Sequence, residues 1–275
     1  MFQDLLARSP NCLFVAYAVL CSTAACEPSP EPLPPGERDR YRLLFRAANM
    51  RKESARALES LAERGFPMKT FQYKDSNAIT LATRFATREA VRSVLDMGVD
   101  PDLRAEFQAE YWTDYSPTAL ECAAVVGDVE KAKLLLEYGA DVDLCRYGKG
   151  NVLFSFATIY TGPQANGSNR NLRKMIELLV QHGVDFDAED RYGRTPLMAA
   201  LEAGNLVLIR ELHDMGRNDV FHAADEKVGG LIDYASKQDR YILKEGGPTQ
   251  AEVKAEILAI TKAALAEERS AVGDE

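Results

Sequence analysis

The stretch from Asp190 to Gly216 reads DRYGRTPLMAALEAGNLVLIRELHDMG, and it restricts the possible folds more than any other segment of the chain. Residue by residue it spells two short helices joined by a tight turn. Thr195 is placed to cap the first helix, its hydroxyl accepting an orphan N–H. Pro196 falls in the first turn, where a missing N–H costs nothing. Ala199 and Ala200 are small enough to let a second helix come close. Gly204 stands where a left-handed residue ends a helix. Asn205 can cap the next one, and Val207, Leu208 and Leu212 give it an apolar stripe. Leu197 has no place to go except against a neighbouring unit. A hairpin this small cannot bury its own apolar side, so it must stack.

The same pattern recurs when the chain is compared with itself. One copy carries Thr118, Leu120, Ala123-Ala124, Gly127 and the string Gly139-Ala140-Asp141-Val142-Asp143. Another carries Leu153, Ala157 and Gly183-Val184-Asp185-Phe186-Asp187, and a third Ile79, Ala82 and Gly98-Val99-Asp100-Pro101-Asp102. Gly193, Thr195-Pro196-Leu197, Ala199-Ala200, Gly204 and Gly216 together resemble the ankyrin repeat. The resemblance implies an all-α ankyrin-repeat solenoid with short hairpin fingers between the helix pairs. The turn glycines Gly98, Gly139, Gly183 and Gly216 are 41, 44 and 33 residues apart. Against an ankyrin period of about 33, two insertions are expected, and in a solenoid they fall in loops.

The ends read as caps. Tyr41 to Gly65 has the shape of a first repeat whose outer helix is a turn longer than usual. Leu231 to Ala235 resembles a worn inner helix, and Thr249 to Glu268 a long final helix that opens on a Thr249-x-x-Glu252 capping box. About six repeats follow, spanning residues 38–268, with a polar tail at 269–275. Terminal repeats are needed because an ordinary one would leave its apolar face in water.

The first 36 residues follow another logic. Cys12 to Leu20 is an apolar run of nine, too short to cross a bilayer core as a helix but right for a signal-peptide core. Ser22-Thr23-Ala24-Ala25-Cys26 resembles a bacterial lipobox, although Thr23 stands where leucine is usual. The resemblance implies a signal at residues 1–25, lipidation of Cys26 and a membrane-anchored periplasmic protein. Cleavage without lipidation, or an uncleaved anchor, would be read from the same residues. Residues 26–37, with five prolines between Glu27 and Gly36, read as a semi-rigid tether.

Composition narrows the partner. A formal net charge of −9 excludes a general nucleic-acid binder, because phosphate backbones attract a basic surface. Phosphate-binding, nucleophile-elbow and zinc-protease motifs do not occur. The pairs Asp141/Asp143 and Asp185/Asp187 recur at the ankyrin turn and are assigned to shaping it rather than to acid–base chemistry. Cys122 and Cys145 could pair in an oxidising compartment or stand as separate thiols. His182, His213 and His222 have no metal-ligand spacing. We expect no catalytic residues, no metal, no cofactor and no small-molecule substrate.

A protein partner is therefore expected, gripped by the fingers and the inner-helix face. Two fingers carry nearly the same string, Arg146-Tyr147-Gly148-Lys149 and Arg191-Tyr192-Gly193-Arg194. Arg146, Tyr147, Lys149, Arg191, Tyr192 and Arg194 would form a basic, aromatic ridge of residue types common at binding hot spots. Reversing the four basic charges is expected to weaken binding without loss of stability. The insertion from Leu103 to Ser116 adds Tyr111, Trp112 and Tyr115 as a second recognition patch. The insertion from Thr158 to Asn171 reads as an exposed loop. Among exported bacterial ankyrin proteins one recurrent role is immunity against a secreted, type VI-like toxin. The resemblance implies that role, or a periplasmic scaffold or stress-related partner of an enzyme, or a cytosolic regulator if the export signal is spurious.

Overall fold

A computed structural model describes residues 33, 36–73, 76–104, 106–109, 112–115, 117–145, 150–159, 165–238 and 249–271. The signal-like segment, Cys26 and nearly all of the tether lie outside these residues, as do Tyr111, Arg146, Tyr147 and Lys149. Among the described residues no helix is long and apolar enough to cross a membrane.

Six helix pairs follow one another. They are α1 (Glu37–Ala48) with α2 (Ser54–Glu63), α3 (Ala78–Phe85) with α4 (Arg88–Asp96), and α5 (Ala119–Val126) with α6 (Val129–Glu137). Then come α7 (Leu153–Ile159) with α8 (Ala165–Gln181), α9 (Pro196–Ala203) with α10 (Leu206–Asp214), and α11 (Asn218–Val228) with α13 (Gln250–Ala271). A short helix α12 (Leu231–Ser236) intervenes in the last pair. The first helix of each pair packs on the first helix of the next, and the second on the second, so two parallel rows run the length of the molecule.

The local chemistry of each pair is what its residues dictate. Asn77 and Thr118 cap α3 and α5 through reciprocal capping boxes with Thr80 and Glu121, and Thr195 caps α9 with Pro196 at its first turn. Thr87, Asp128 and Asn205 cap the second helices. Gly127 and Gly204 end the inner helices at φ 74° and 69°, a conformation that costs other L-residues energy. Fully buried Leu44, Leu58, Ile79, Leu120, Leu135, Leu153, Phe154, Leu197, Ile209 and Phe221 belong to one core cluster that runs through all six pairs.

Polar links set the register of the stack. Each reaches from near the start of an outer helix to the last turn of the previous inner helix. The Lys131 ammonium donates to the Thr83 carbonyl at 2.9 Å, and the Asn171 amide to Gly127 at 2.9 Å. The Asn205 amide makes the same reach to Ala157 at 3.4 Å. A carbonyl left open at a helix end is thereby satisfied by the next repeat. Buried Glu121 also belongs to this set. It accepts from the Thr118 N–H at 2.8 Å and from the Ser155 hydroxyl of the next inner helix at 2.5 Å.

Three expectations change. The inner position of the last repeat is held by α11, not by Leu231–Ala235, which form the extra helix α12 packed between α11 and α13. Phe221, Ala223, Ala224 and Gly229 carry the repeat signature there, one residue longer than in α9. Only Met215, Gly216 and Arg217 separate α10 from α11, so this repeat has no finger before it. Second, residues 165–171 of the supposed exposed loop belong to helix and lengthen α8. Third, the extra turn before the first outer helix is a 3-10 turn at Arg51–Glu53.

Candidate finger surface

Four connections project from one side of the inner row. The first carries strands β1 (Gln72–Tyr73) and β2 (Ser76–Asn77). The second holds the longer antiparallel pair β3 (Glu106–Ala109) and β4 (Trp112–Tyr115). The first insertion is thus a two-stranded extension, with Trp112 opposite Ala109 and Tyr115 opposite Glu106. Tyr111 lies outside the described residues, so the patch is defined only through its backbone.

Neighbouring fingers are tied to one another. The Asn77 amide donates to the Leu103 carbonyl and the Asn151 amide to the Asp185 carbonyl. Within the second, third and fourth fingers the recurrent acid pair makes the same turn. Asp100 accepts the Asp102 N–H, Asp141 that of Asp143, and Asp185 that of Asp187, at 2.8 to 2.9 Å. These carboxylates brace backbone, as such side chains do in tight turns. They also crowd one another. Burial and the neighbouring Asp100 and Asp141 raise the Asp102 carboxyl to about 6, against the Asp141 N–H that it accepts. Asp143 and Asp187 are raised too, by burial first and then by adjacent carboxylates.

The fourth finger, at Asp190–Thr195, is organised around one buried acid. Asp190 accepts the Tyr192 N–H at 2.8 Å, the Arg194 N–H at 3.0 Å and the Arg194 guanidinium at 2.6 and 2.9 Å. Burial would raise its carboxyl, but these donors outweigh burial and hold it below the usual range. The same guanidinium reaches Glu202 on α9, and Glu202 accepts the Tyr234 hydroxyl from α12. Burial and that carboxylate push Tyr234 upward.

Tyr192 sits on this frame with its ring 63% exposed. The guanidinium of Arg194 lies 5.0 Å and that of Arg191 5.8 Å from its centroid, within cation–π range. No fifth finger follows to cover this side, since only residues 215–217 separate α10 from α11. Arg217 closes the gap beneath, 4.3 Å over the Phe186 ring, and Lys227 of α11 bridges to Glu189. The structure therefore revises part of the expected ridge. Arg194 is only 27% exposed and turned inward on two acids. It positions Tyr192, and reversing its charge will cost stability. Glu202 and Tyr234 complete the frame and were not read from the sequence. Cys122 and Cys145 are both buried and are not joined by a disulfide.

Residues 118–147, the third helix pair with the start of its finger, match the family model described as ankyrin repeat. The fold is an ankyrin-repeat solenoid. The chain is similar to an ankyrin repeat protein of Fowlpox virus (strain NVSL), 32% identical over 100 residues, covering 31% of this chain and 17% of the relative. It is also similar to an ankyrin repeat protein of Acanthamoeba polyphaga mimivirus, 34% identical over 98 residues, covering 35% of this chain and 12% of the relative. The chain thus spans less than a fifth of the length of either of these relatives. Ankyrin repeats are protein-binding modules that present loops and an inner concave face to a partner.

Proposed function

We propose that this chain is a non-catalytic capture module whose finger row grips one protein partner, with Tyr192 at the centre of the contact. The observation that carries this reading is the exposed Tyr192 ring on a frame of buried charge. An aromatic already fixed before binding loses little entropy on contact, so more of its burial appears as affinity. Arg191 beside it is exposed on the same finger and suited to a carboxylate on the partner. We infer further that the module is held at a membrane by lipid on Cys26, in the periplasm, and that its partner is a secreted toxin to which it confers immunity. The lipobox-like residues and the proline-rich tether support the anchor. The occluding role rests on likeness to exported bacterial ankyrin proteins.

Two experiments test these levels separately. A photo-crosslinking residue at position 192 should give one dominant protein adduct in cells, and the same residue at exposed Lys133 on α6 should give none. Identical adduct patterns at the two sites would remove the finger from the account. Radiolabelled palmitate should enter the wild type and not Cys26→Ala. Equal label in both would end the anchor reading and leave the finger untouched.

A further inference from the structure

The charge of this chain is sorted along its axis. Residues 37–98, the first two repeats, carry thirteen Lys and Arg against eight Asp and Glu, a net of +5. Residues 99–275 carry nineteen against thirty-one, a net of −12. An acidic protein thus has a basic end, and the overall value of −9 conceals it.

Eight of those thirteen basic groups are exposed. Arg38, Arg42 and Arg46 recur every fourth residue of α1, on the side opposite buried Leu44, Ala47 and Ala48. Arg51, Lys52 and Arg56 continue the exposed set at the turn and on α2. Arg42 is bridged to Asp39, at more than half exposure for both, where water screens the pair and little of the charge is cancelled. Among the described residues no helix pair precedes the first repeat, and Leu33 of the tether packs against the core. This is also the end at which the chain arrives from the apolar run and Cys26.

We propose that the first repeat is an electrostatic footing, resting its basic face on an anionic bilayer and pointing the acidic, finger-bearing remainder away from it. A tethered domain without such a bias would tumble on its proline-rich linker. Six exposed basic side chains near an anionic surface act together to favour one orientation, at the short range that salt permits. A second copy of this chain is a poorer occupant. The exposed residues of the last helix mix Glu252 and Glu267 with Lys262 and with Ala251, Ala255, Ala259 and Ala266, so the far end offers no uniformly acidic face to match it. The proposal takes the nearness of a bilayer from the anchor reading, but the charge pattern stands without it.

The test uses the full chain with Cys26→Ala, so that lipid plays no part. Its binding to vesicles of phosphatidylcholine alone is compared with vesicles containing about a third phosphatidylglycerol, a composition that gives the negative surface potential such patches sense. We expect stronger binding to the anionic vesicles, lost progressively as salt rises. Arg38→Gln/Arg46→Gln/Arg56→Gln should reduce that preference at least about tenfold, and Lys254→Gln/Lys262→Gln at the far end should leave it unchanged. Circular dichroism of the exposed Gln variants should match the parent. Equal binding to both vesicle types would overturn the proposal. So would a triple variant that keeps its vesicle preference, or one that loses only its protein crosslink, which would assign the patch to a protein partner instead.

Discussion

The acid-pair turns at Asp100–Asp102, Asp141–Asp143 and Asp185–Asp187 and the turn at Asp190–Arg194 are similarly braced by aspartate, yet they carry charge in opposite ways. In the acid pairs carboxylates stand near one another, and Asp102, Asp143 and Asp187 are raised. In the Asp190 turn one buried aspartate is surrounded by donors and its pKa falls. Turn geometry is therefore not what distinguishes a bracing finger from a presenting one. The difference is the guanidinium of Arg194, which cancels the buried charge and leaves a rigid place for an exposed aromatic. Where the row ends for want of a fifth finger, that aromatic also stays exposed.

Removing Arg194 should break this contrast with the largest effect. Arg194→Ala leaves buried Asp190 and Glu202 without their shared cation and should cost about 2 kcal/mol, a buried-pair loss reduced for its partial exposure. Urea unfolding will measure it. Asp102→Asn should act in the opposite direction. The folded carboxyl titrates at about 6, above its unfolded value, so its favourable contribution exists at low pH and is lost as pH rises through about 6. At pH 7.5 the variant should be more stable by about 1 kcal/mol, after allowance for solvent screening. Between pH 6 and 4 the wild type should recover that gap, visible as converging thermal melts. Asp190 predicts the reverse sign, since a depressed carboxyl contributes at neutral pH and loses its effect as pH falls through and below the ordinary carboxylate range. Asp143→Asn should repeat the Asp102 result at a few tenths of a kcal/mol, near the edge of detection for a surface change.

Much of this was legible because the repeat writes its local rules in single residues. Thr195, Pro196, Gly204 and Asn205 each occupy the cap or turn position that their chemistry favours. The pairing of inner and outer rows follows from the spacing of the turn glycines. The sixth repeat was misplaced for a physical reason. With no finger before it, the usual glycine-to-threonine interval vanishes and the inner helix begins two residues after Gly216. Phe221, Ala223 and Ala224 still marked it, since an apolar residue followed by two small ones is what close helix packing demands. The second insertion misled because Gly, Asn and Ser read as loop, while tertiary packing carried the outer helix back through them. The functional finger was half legible. Tyr192 and Arg191 stood out by type, but Arg194 looked equally available. Its inward turn depends on Glu202 from α9 and on Tyr234 from α12, a helix whose residues read locally as the inner helix of the last repeat.

Partner affinity measured beside thermal stability for Tyr192→Ala tests the central claim most directly. The ring is largely exposed and its frame lies beneath it, so melting should stay within a degree or two of wild type. Affinity for the crosslinked partner should fall by roughly tenfold or more, as expected for an aromatic hot spot. An unchanged affinity with an unchanged melt would show that this solenoid binds elsewhere.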